Sequence, residues 1–288
     1  MKSRSLSACA LSLDATPHPD GVYVEALRKC ANHEVRARGE TLAKITAPRK
    51  IKNHDSYAGR LLIWTHINVQ GKWLDKEKNE QLSDDEKLKI NIPENAAPNY
   101  KTFHYVFTER DHKIYIETKN ELGESLGPKT IKNIFTRLMD SNIQGDDYII
   151  SVTLVPDEHV VDELLSLPHL RKLELQIRTP NADYASPEIR RRVLDEMMAN
   201  NAHVLSQTWT KPSNAEKLTP TKDVKDLTLV AADTGYVRAT DKPRNGPEKV
   251  ISTDDRPRFY SFTTDDGDTF FERLKAKVQR FMIDKRKQ

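Results

Sequence analysis

The chain has 288 residues, 37% of them hydrophobic and 31% charged, with 46 Lys and Arg against 43 Asp and Glu and a formal net charge of +3. That length allows one large domain or two ordinary ones with a sizeable core, and so mild a charge does not by itself mark a nucleic-acid protein. Two cysteines, Cys9 and Cys30, give no disulfide framework and fit a reduced, cytoplasmic protein, and no apolar run reaches the ~20 residues that span a membrane, so no membrane insertion is expected.

Leu6-Ser7-Ala8-Cys9 resembles a lipobox but lies too near the start for an ordinary signal peptide. Leu11 and Leu13 instead predict a first strand. Val24, Leu27 and Ala31 set a short helix over 22–30, and strands follow at 42–47 and 58–69. In the latter, Leu61-Leu62-Ile63-Trp64 is apolar on both faces, as in a central strand. Residues 75–85 are charged and exposed. Segments 103–108 and 113–118 alternate in polarity and predict a hairpin. Pro128 opens a helix whose Ile131, Ile134, Phe135, Leu138 and Met139 form one apolar stripe.

After Gly145 the pattern becomes strand 148–155, helix 157–166, strand 170–177, helix 187–200 and strand 204–209. A helix over 219–232, a hairpin of 236–240 with 249–253, and a long helix over 268–284 complete the chain. The last helix places Phe270, Phe271, Leu274, Val278 and Phe281 for burial. The expected fold class is α+β, with mixed β-sheets and helices packed in two layers and two lobes. The expected division is an α+β globular domain over 1–145, an α/β lobe over 146–212 that can move, and a C-terminal hairpin and long helix over 213–288 that packs back on the first domain.

No catalytic motif, metal cluster or cofactor site is complete. Residues 123–130, Gly-Glu-Ser-Leu-Gly-Pro-Lys-Thr, sit between a strand and a helix as a phosphate loop does, but Pro128 takes the place of the glycine before lysine and removes a backbone N–H. Cys30 and His33 lie one helical turn apart, which fits a half-buried cysteine at a helix end better than an activated thiol. His104 and His112, with Glu109 and Asp111 in the same hairpin, are the residues an acid/base or metal site would use. They carry the alternative that the protein is a metal-dependent nuclease or a nucleotide-acting enzyme. A second alternative is a protein-interaction scaffold.

The basic residues are uneven. Residues 28–60 hold nine basic against three acidic side chains, a net of +6, and residues 271–288 hold seven against two, a net of +5. Arg190-Arg191-Arg192 open a helix, where cations oppose the macrodipole by a few tenths of a kcal/mol. Clusters that share a face would follow phosphates without reading sequence. The candidate DNA-binding residues are Arg190, Arg191, Arg192, Arg178, Arg49, Lys50, Lys52, Lys285, Arg286 and Lys287.

Several turn and cap motifs recur together: Leu167-Pro168, Arg178-Thr179-Pro180-Asn181-Ala182-Asp183, Asn200-Asn201-Ala202, Leu218-Thr219-Pro220-Thr221, Thr234-Gly235-Tyr236-Val237-Arg238-Ala239, and Ile251-Ser252-Thr253 before Pro257. On these the chain resembles a family of uncharacterised bacterial and prophage proteins. In size and element order it resembles, more distantly, phage exclusion proteins of the RexA kind. That resemblance implies a homodimer that binds double-stranded DNA with little sequence preference, has no enzyme activity, and acts in phage exclusion or antiphage defence as a sensor for a second defence component.

Overall fold

In the computed structural model the described residues are 4–52, 54–93, 95–178, 188–264, 272–274 and 276. The chain opens with β1 (Arg4–Thr16), α1 (Val22–Cys30), β2 (Val35–Arg38), β3 (Thr41–Ile45), β4 (Arg49–Lys50) and β5 (Ser56–Thr65). A two-strand excursion, β6 (Leu74–Asp75) and β7 (Glu80–Gln81), leads to the single-turn α2 (Asp84–Lys87), which a Ser83–Glu86 capping box closes. The hairpin of β8 (Lys101–Thr108) and β9 (Lys113–Lys119) is followed by α3 (Pro128–Leu138), α4 (Ser141–Gln144) and β10 (Ile149–Leu154). The remainder comprises α5 (Val160–Leu165), β11 (Leu170–Arg178), α6 (Glu188–Ala199), β12 (Val204–Thr210), α7 (Lys222–Thr234), β13 (Tyr236–Asp241), β14 (Lys249–Ser252) and β15 (Tyr260–Thr264). The fold is α+β, as its sequence pattern predicts.

A curled antiparallel sheet runs β10-β1-β9-β8-β5-β3-β2, with β15 also pairing β1 and β4 also pairing β5. Its inner face buries Leu11, Leu13, Leu61, Phe103, Tyr105, Phe107, Ile114 and Ile116 against α1 and the predicted stripe of α3, in which Ile131, Ile134, Phe135 and Leu138 are fully buried. β5 is internal, as expected, but of its Leu61–Trp64 run only Leu61 and Ile63 are buried. Leu62 and Trp64 are half-exposed, because this sheet leaves part of its outer face open. Strand β2 falls in the basic tract and escapes a hydropathy pattern, since Arg36 and Arg38 alternate with buried Val35 and Ala37.

A second sheet, β12-β11-β13-β14, packs with α5, α6 and α7 around Leu173, Leu175, Ile177, Val193, Met197, Val230 and Val237. Two elements depart from the expected division of the chain. The strand at 148–155, expected to open the 146–212 lobe, is β10, which pairs with Leu11 to Thr16 of β1 and so belongs to the first sheet. The hairpin of β13 and β14 joins β11 in the second sheet, whereas β15 returns to the first and pairs with Arg4 to Ala8. Register explains both: β10 and β15 share one edge of a 13-residue strand. Of the helix expected over 268–284, residues 272–274 and 276 are described and the rest lies outside the described residues; Leu274 is fully buried with Tyr260, Tyr115, Val106, Ala8 and Ala10 on the outer face of the first sheet.

Two glycines permit close approaches. In β5, Gly59 lies opposite Tyr105, and a Cβ there would stand 2.4 Å from the ring, whose hydroxyl donates to the Thr46 carbonyl at 3.0 Å. Between α7 and β13, a Cβ on Gly235 would stand 2.0 Å from the Gln176 carbonyl oxygen. Overpacking of this kind costs typically ~1–3 kcal/mol. Gly235→Ala meets fixed backbone and Gly59→Ala meets a ring that can tilt, so in urea titrations Gly235→Ala is expected to lower the unfolding midpoint more than Gly59→Ala.

Candidate nucleic-acid interface

The three arginines of α6 line a cleft of about 1140 Å³ between α6, α7 and the Lys113 end of the first sheet. The cleft is not a cationic surface. Seven carboxylates line it against six Lys and Arg side chains. Arg190, only 14% exposed, is ion-paired with Asp233 of α7, and Arg192 lies 3.8 Å from Asp223. Arg258 closes on Glu158 at 2.6 Å. Arg190 and Arg192, both expected to face a phosphate backbone, have carboxylate neighbours here, Asp233 at the C-terminal end of α7 and Asp223 in its first turn, which relieves the unfavourable position of the cations at the helix start. Arg191 is exposed in the same turn. Arg178 ends β11 opposite Val204, half-buried, where its charge helps hold the neighbouring His203 below the usual histidine range after burial itself. Lys285, Arg286 and Lys287 lie outside the described residues.

Beneath the Arg190–Asp233 pair is Asp14 of β1, 6% exposed. Among the described residues its Oδ2 has no hydrogen-bond partner, nor does Arg190 Nε or the Ser151 hydroxyl opposite Asp14 in the register. Burial, and then the Asp233 charge, push the Asp14 carboxyl up to about 7 against the opposing pull of Arg190 and Lys113.

The remaining candidates, Arg49, Lys50 and Lys52, are exposed and come together with Arg60 along a groove of about 920 Å³. A bulge makes it. β3 pairs with β5 up to Ile45↔Leu61 and β4 resumes at Arg49↔Ala58, so residues 46–48 stand opposite only Gly59 and Arg60. The extra residue bends the edge and re-aims the side chains that follow. Thr46 holds the bulge, accepting the Arg60 N–H on its hydroxyl at 2.9 Å and donating its own N–H to the Arg60 carbonyl at 2.8 Å. Lys50 Nζ sits 5.9 Å from the centroid of the Tyr57 ring, a cation–π contact. Among the described residues, none of Arg49, Lys50, Lys52 and Arg60 forms an ion pair, and Glu121 is the one carboxylate on the groove wall.

The groove also contains His104, and here the expected hairpin site is corrected. Five residue steps, about 17 Å at strand rise, separate His104 from Glu109, where the turn that carries Asp111 and His112 begins. His112 is buried against Tyr23, with ring centroids 4.4 Å apart. Asp111 is taken by the Thr108 hydroxyl and by Tyr115. The partner of His104 is Glu117 of β9. Its Oε1 lies 3.0 Å from Nδ1, and its Oε2 accepts the His104 backbone N–H at 2.8 Å. Glu117 is 1% exposed, and burial raises its carboxyl although both His104 contacts pull it down. Glu117 carries no motif. Only the register that continues Tyr105↔Ile116 by one step reveals it.

The other sequence candidates resolve as structural. Lys129 of the glycine loop is ion-paired with Asp255, and Asn120 holds the loop by accepting the Leu122 and Glu124 N–H groups. Cys30 is buried, donates to the Leu138 carbonyl at 3.2 Å, and has its thiol pushed up to about 12 by burial. Among the described residues no group of three or more His, Cys, Asp and Glu side chains could hold a metal ion, and no helix is long and apolar enough to cross a membrane.

A buried carboxyl raised from its unfolded value of 3.8 to about 7 contributes most to stability below about pH 4 and loses that contribution as the pH rises to about 7. Asp14→Asn is therefore expected to be more stable than the natural protein at pH 8, by up to roughly 4 kcal/mol, with the difference closing toward pH 4. Urea midpoints measured across that range check it.

A search of curated proteins finds no match to the chain. Residues 4–279 match the family described as a domain of unknown function, DUF4747. That span runs from the first strand into the final helix and takes in both sheets, the groove and the cleft, so the chain as a whole belongs to the DUF4747 family.

Proposed function

We propose that this protein binds nucleic acid through its phosphodiester backbone, with the groove along β4 and β5 as the contact surface and duplex DNA as the partner. One observation carries the reading: Arg49, Lys50, Lys52 and Arg60 share a groove with a single carboxylate, and none is neutralised by an ion pair among the described residues. Four like charges held together by a bulge repel one another, and a chain of phosphates relieves that repulsion while releasing its own counterions. Contacts between these cations and phosphates carry no sequence information, so binding without sequence preference follows. The proposal extends to a cytoplasmic homodimer that acts in phage exclusion or antiphage defence, as a sensor for a second component. That extension draws on the likeness to RexA-type proteins, and the groove supports it only by supplying a surface for DNA.

Fluorescence anisotropy with duplex DNA of unrelated sequences tests the binding. Affinity is expected to be similar among sequences and to fall with salt. Replacing Arg49, Lys50, Lys52 or Arg60 with Ala is expected to lower the log–log salt slope by about 0.9 for each phosphate that is no longer neutralised. Arg192→Ala should change affinity less than twofold. Absence of binding at low salt would sink the reading. For the exclusion role, deletion of the gene should raise phage plaquing efficiency, and restoration with an Arg49→Ala, Lys50→Ala, Lys52→Ala variant should not reverse the rise. Unchanged plaquing removes that role while leaving the binding intact.

A further inference from the structure

We infer that the groove is also a ribonuclease site, in which His104, oriented by Glu117, cleaves RNA by attack of the ribose 2′-hydroxyl on the adjacent phosphate. The inference rests on the nucleic-acid reading of the groove and names a substrate and a reaction for it.

Glu117 is buried and holds its histidine by two contacts, one to the ring and one to the backbone of the same residue. A carboxylate accepts, so the proton on the ring sits on Nδ1. The basic lone pair of the neutral imidazole is then on Nε2. The ring lines the groove and is about one-third exposed, while its carboxylate is shielded. A histidine that only completed the sheet surface would need no buried carboxylate, whose desolvation costs several kcal/mol before compensation.

The surroundings match the charge that the reaction develops. Arg60 is the registered cross-strand partner of His104, so the two side chains leave the same face with Cβ atoms roughly 5 Å apart. Arg49, Lys50 and Lys52 continue the positive wall, and His54 is a second imidazole on it. In the step proposed, Nε2 of His104 takes the proton of the 2′-hydroxyl, the 2′-oxygen forms a bond to phosphorus, and the bond from phosphorus to the 5′-oxygen breaks. The 5′-oxygen leaves with a proton taken from solvent, and the imidazolium of His104 returns its proton to solvent, so the step is balanced in protons. The products are a 2′,3′-cyclic phosphate and a 5′-hydroxyl; solvent serves only to carry the proton, and no redox partner or added metal enters the balance. Arg60 opposes the extra negative charge on the phosphoryl oxygens in the transition state. DNA lacks the nucleophile, so it is bound and left intact. Glu117 is a positioning residue: it fixes the tautomer and stabilises the imidazolium as it forms.

The test incubates the full chain, in EDTA, with labelled single-stranded RNA and with DNA of the same sequence, and reads retention and products separately. RNA bound and cut to 2′,3′-cyclic phosphate ends, with DNA bound and uncut, is the expected result. His104→Ala should lower the single-turnover rate on RNA by about 10²- to 10⁴-fold. His104→Gln, which keeps a donor for Glu117, should do the same, and a thermal melt identifies which variants are folded. Glu117→Gln should lower the rate and shift the acid limb of the pH–rate profile, which a loss of packing alone would not move. RNA that is bound and stays intact overturns the ribonuclease assignment and leaves the binding reading standing. Cleavage that survives in both His104 variants also overturns it. If neither RNA nor DNA is retained at low salt, the binding reading fails and this inference fails with it.

Discussion

Every part of the molecule depends on β1 being paired along its whole length. One edge is taken by β9. The other is divided, with β10 on its C-terminal part and β15 on its N-terminal part. Three segments far apart in sequence are thereby fixed to one strand, and the alternation of that strand decides what each face can do. Cys9, Leu11 and Leu13 point inward to the large core. Ala8 and Ala10, small and buried, let Tyr115, Tyr260 and Leu274 close over the outer face. Ser12 and Asp14 continue the outer face into polar ground, where α6 and α7 arrive with Arg190 and Asp233. The outer face thus changes from charged at β5, through apolar at β1 and β15, to charged again at the cleft.

Arginine means different things at the two ends of that face. In the cleft, α7 brings Asp233 to Arg190 and Asp223 to Arg192, so two of the arginines of α6 have a carboxylate beside them. In the groove, the bulge at residues 46–48 gathers cations from β4 and β5 where the neighbouring strands contribute one carboxylate to the wall. Local charge density in the sequence is similar in both places. What differs is the origin of the counter-charge, which at Arg190 lies 43 residues away in the chain. A triplet of arginines is conspicuous in sequence, yet two of its three members have a carboxylate neighbour here, whereas the less conspicuous Arg49, Lys50 and Lys52 form no ion pair among the described residues.

The legible parts of the sequence are those whose physics is local. The stripe of α3 repeats at helical spacing, the β8–β9 hairpin alternates across a short turn, and α1 is bounded as its apolar positions require. The positions of β10, β15 and the β13–β14 hairpin were not legible, because strand pairing between remote segments leaves no periodic mark on either partner. β2 was lost for another reason: its outward residues are arginines, so the strand reads as part of a basic tract. At the site, the cations and His104 could be picked out one by one, but the carboxylate that makes His104 distinctive carries no motif and emerges only when the hairpin register is carried one step beyond Tyr105↔Ile116.

The divided edge of β1 also has a consequence in time. Arg4 pairs with Thr264, so during synthesis β1 waits for a strand made about 260 residues later before this edge is closed. At ~5–20 residues per second, synthesis of the intervening chain takes roughly 15–50 s, far longer than the microseconds in which a local hairpin forms. Throughout that interval the nascent chain carries an open strand edge on β1, a template for pairing with other chains. Newly made protein is thus most vulnerable to aggregation before its closing strand emerges, and any product that terminates before Tyr260 keeps that vulnerability permanently.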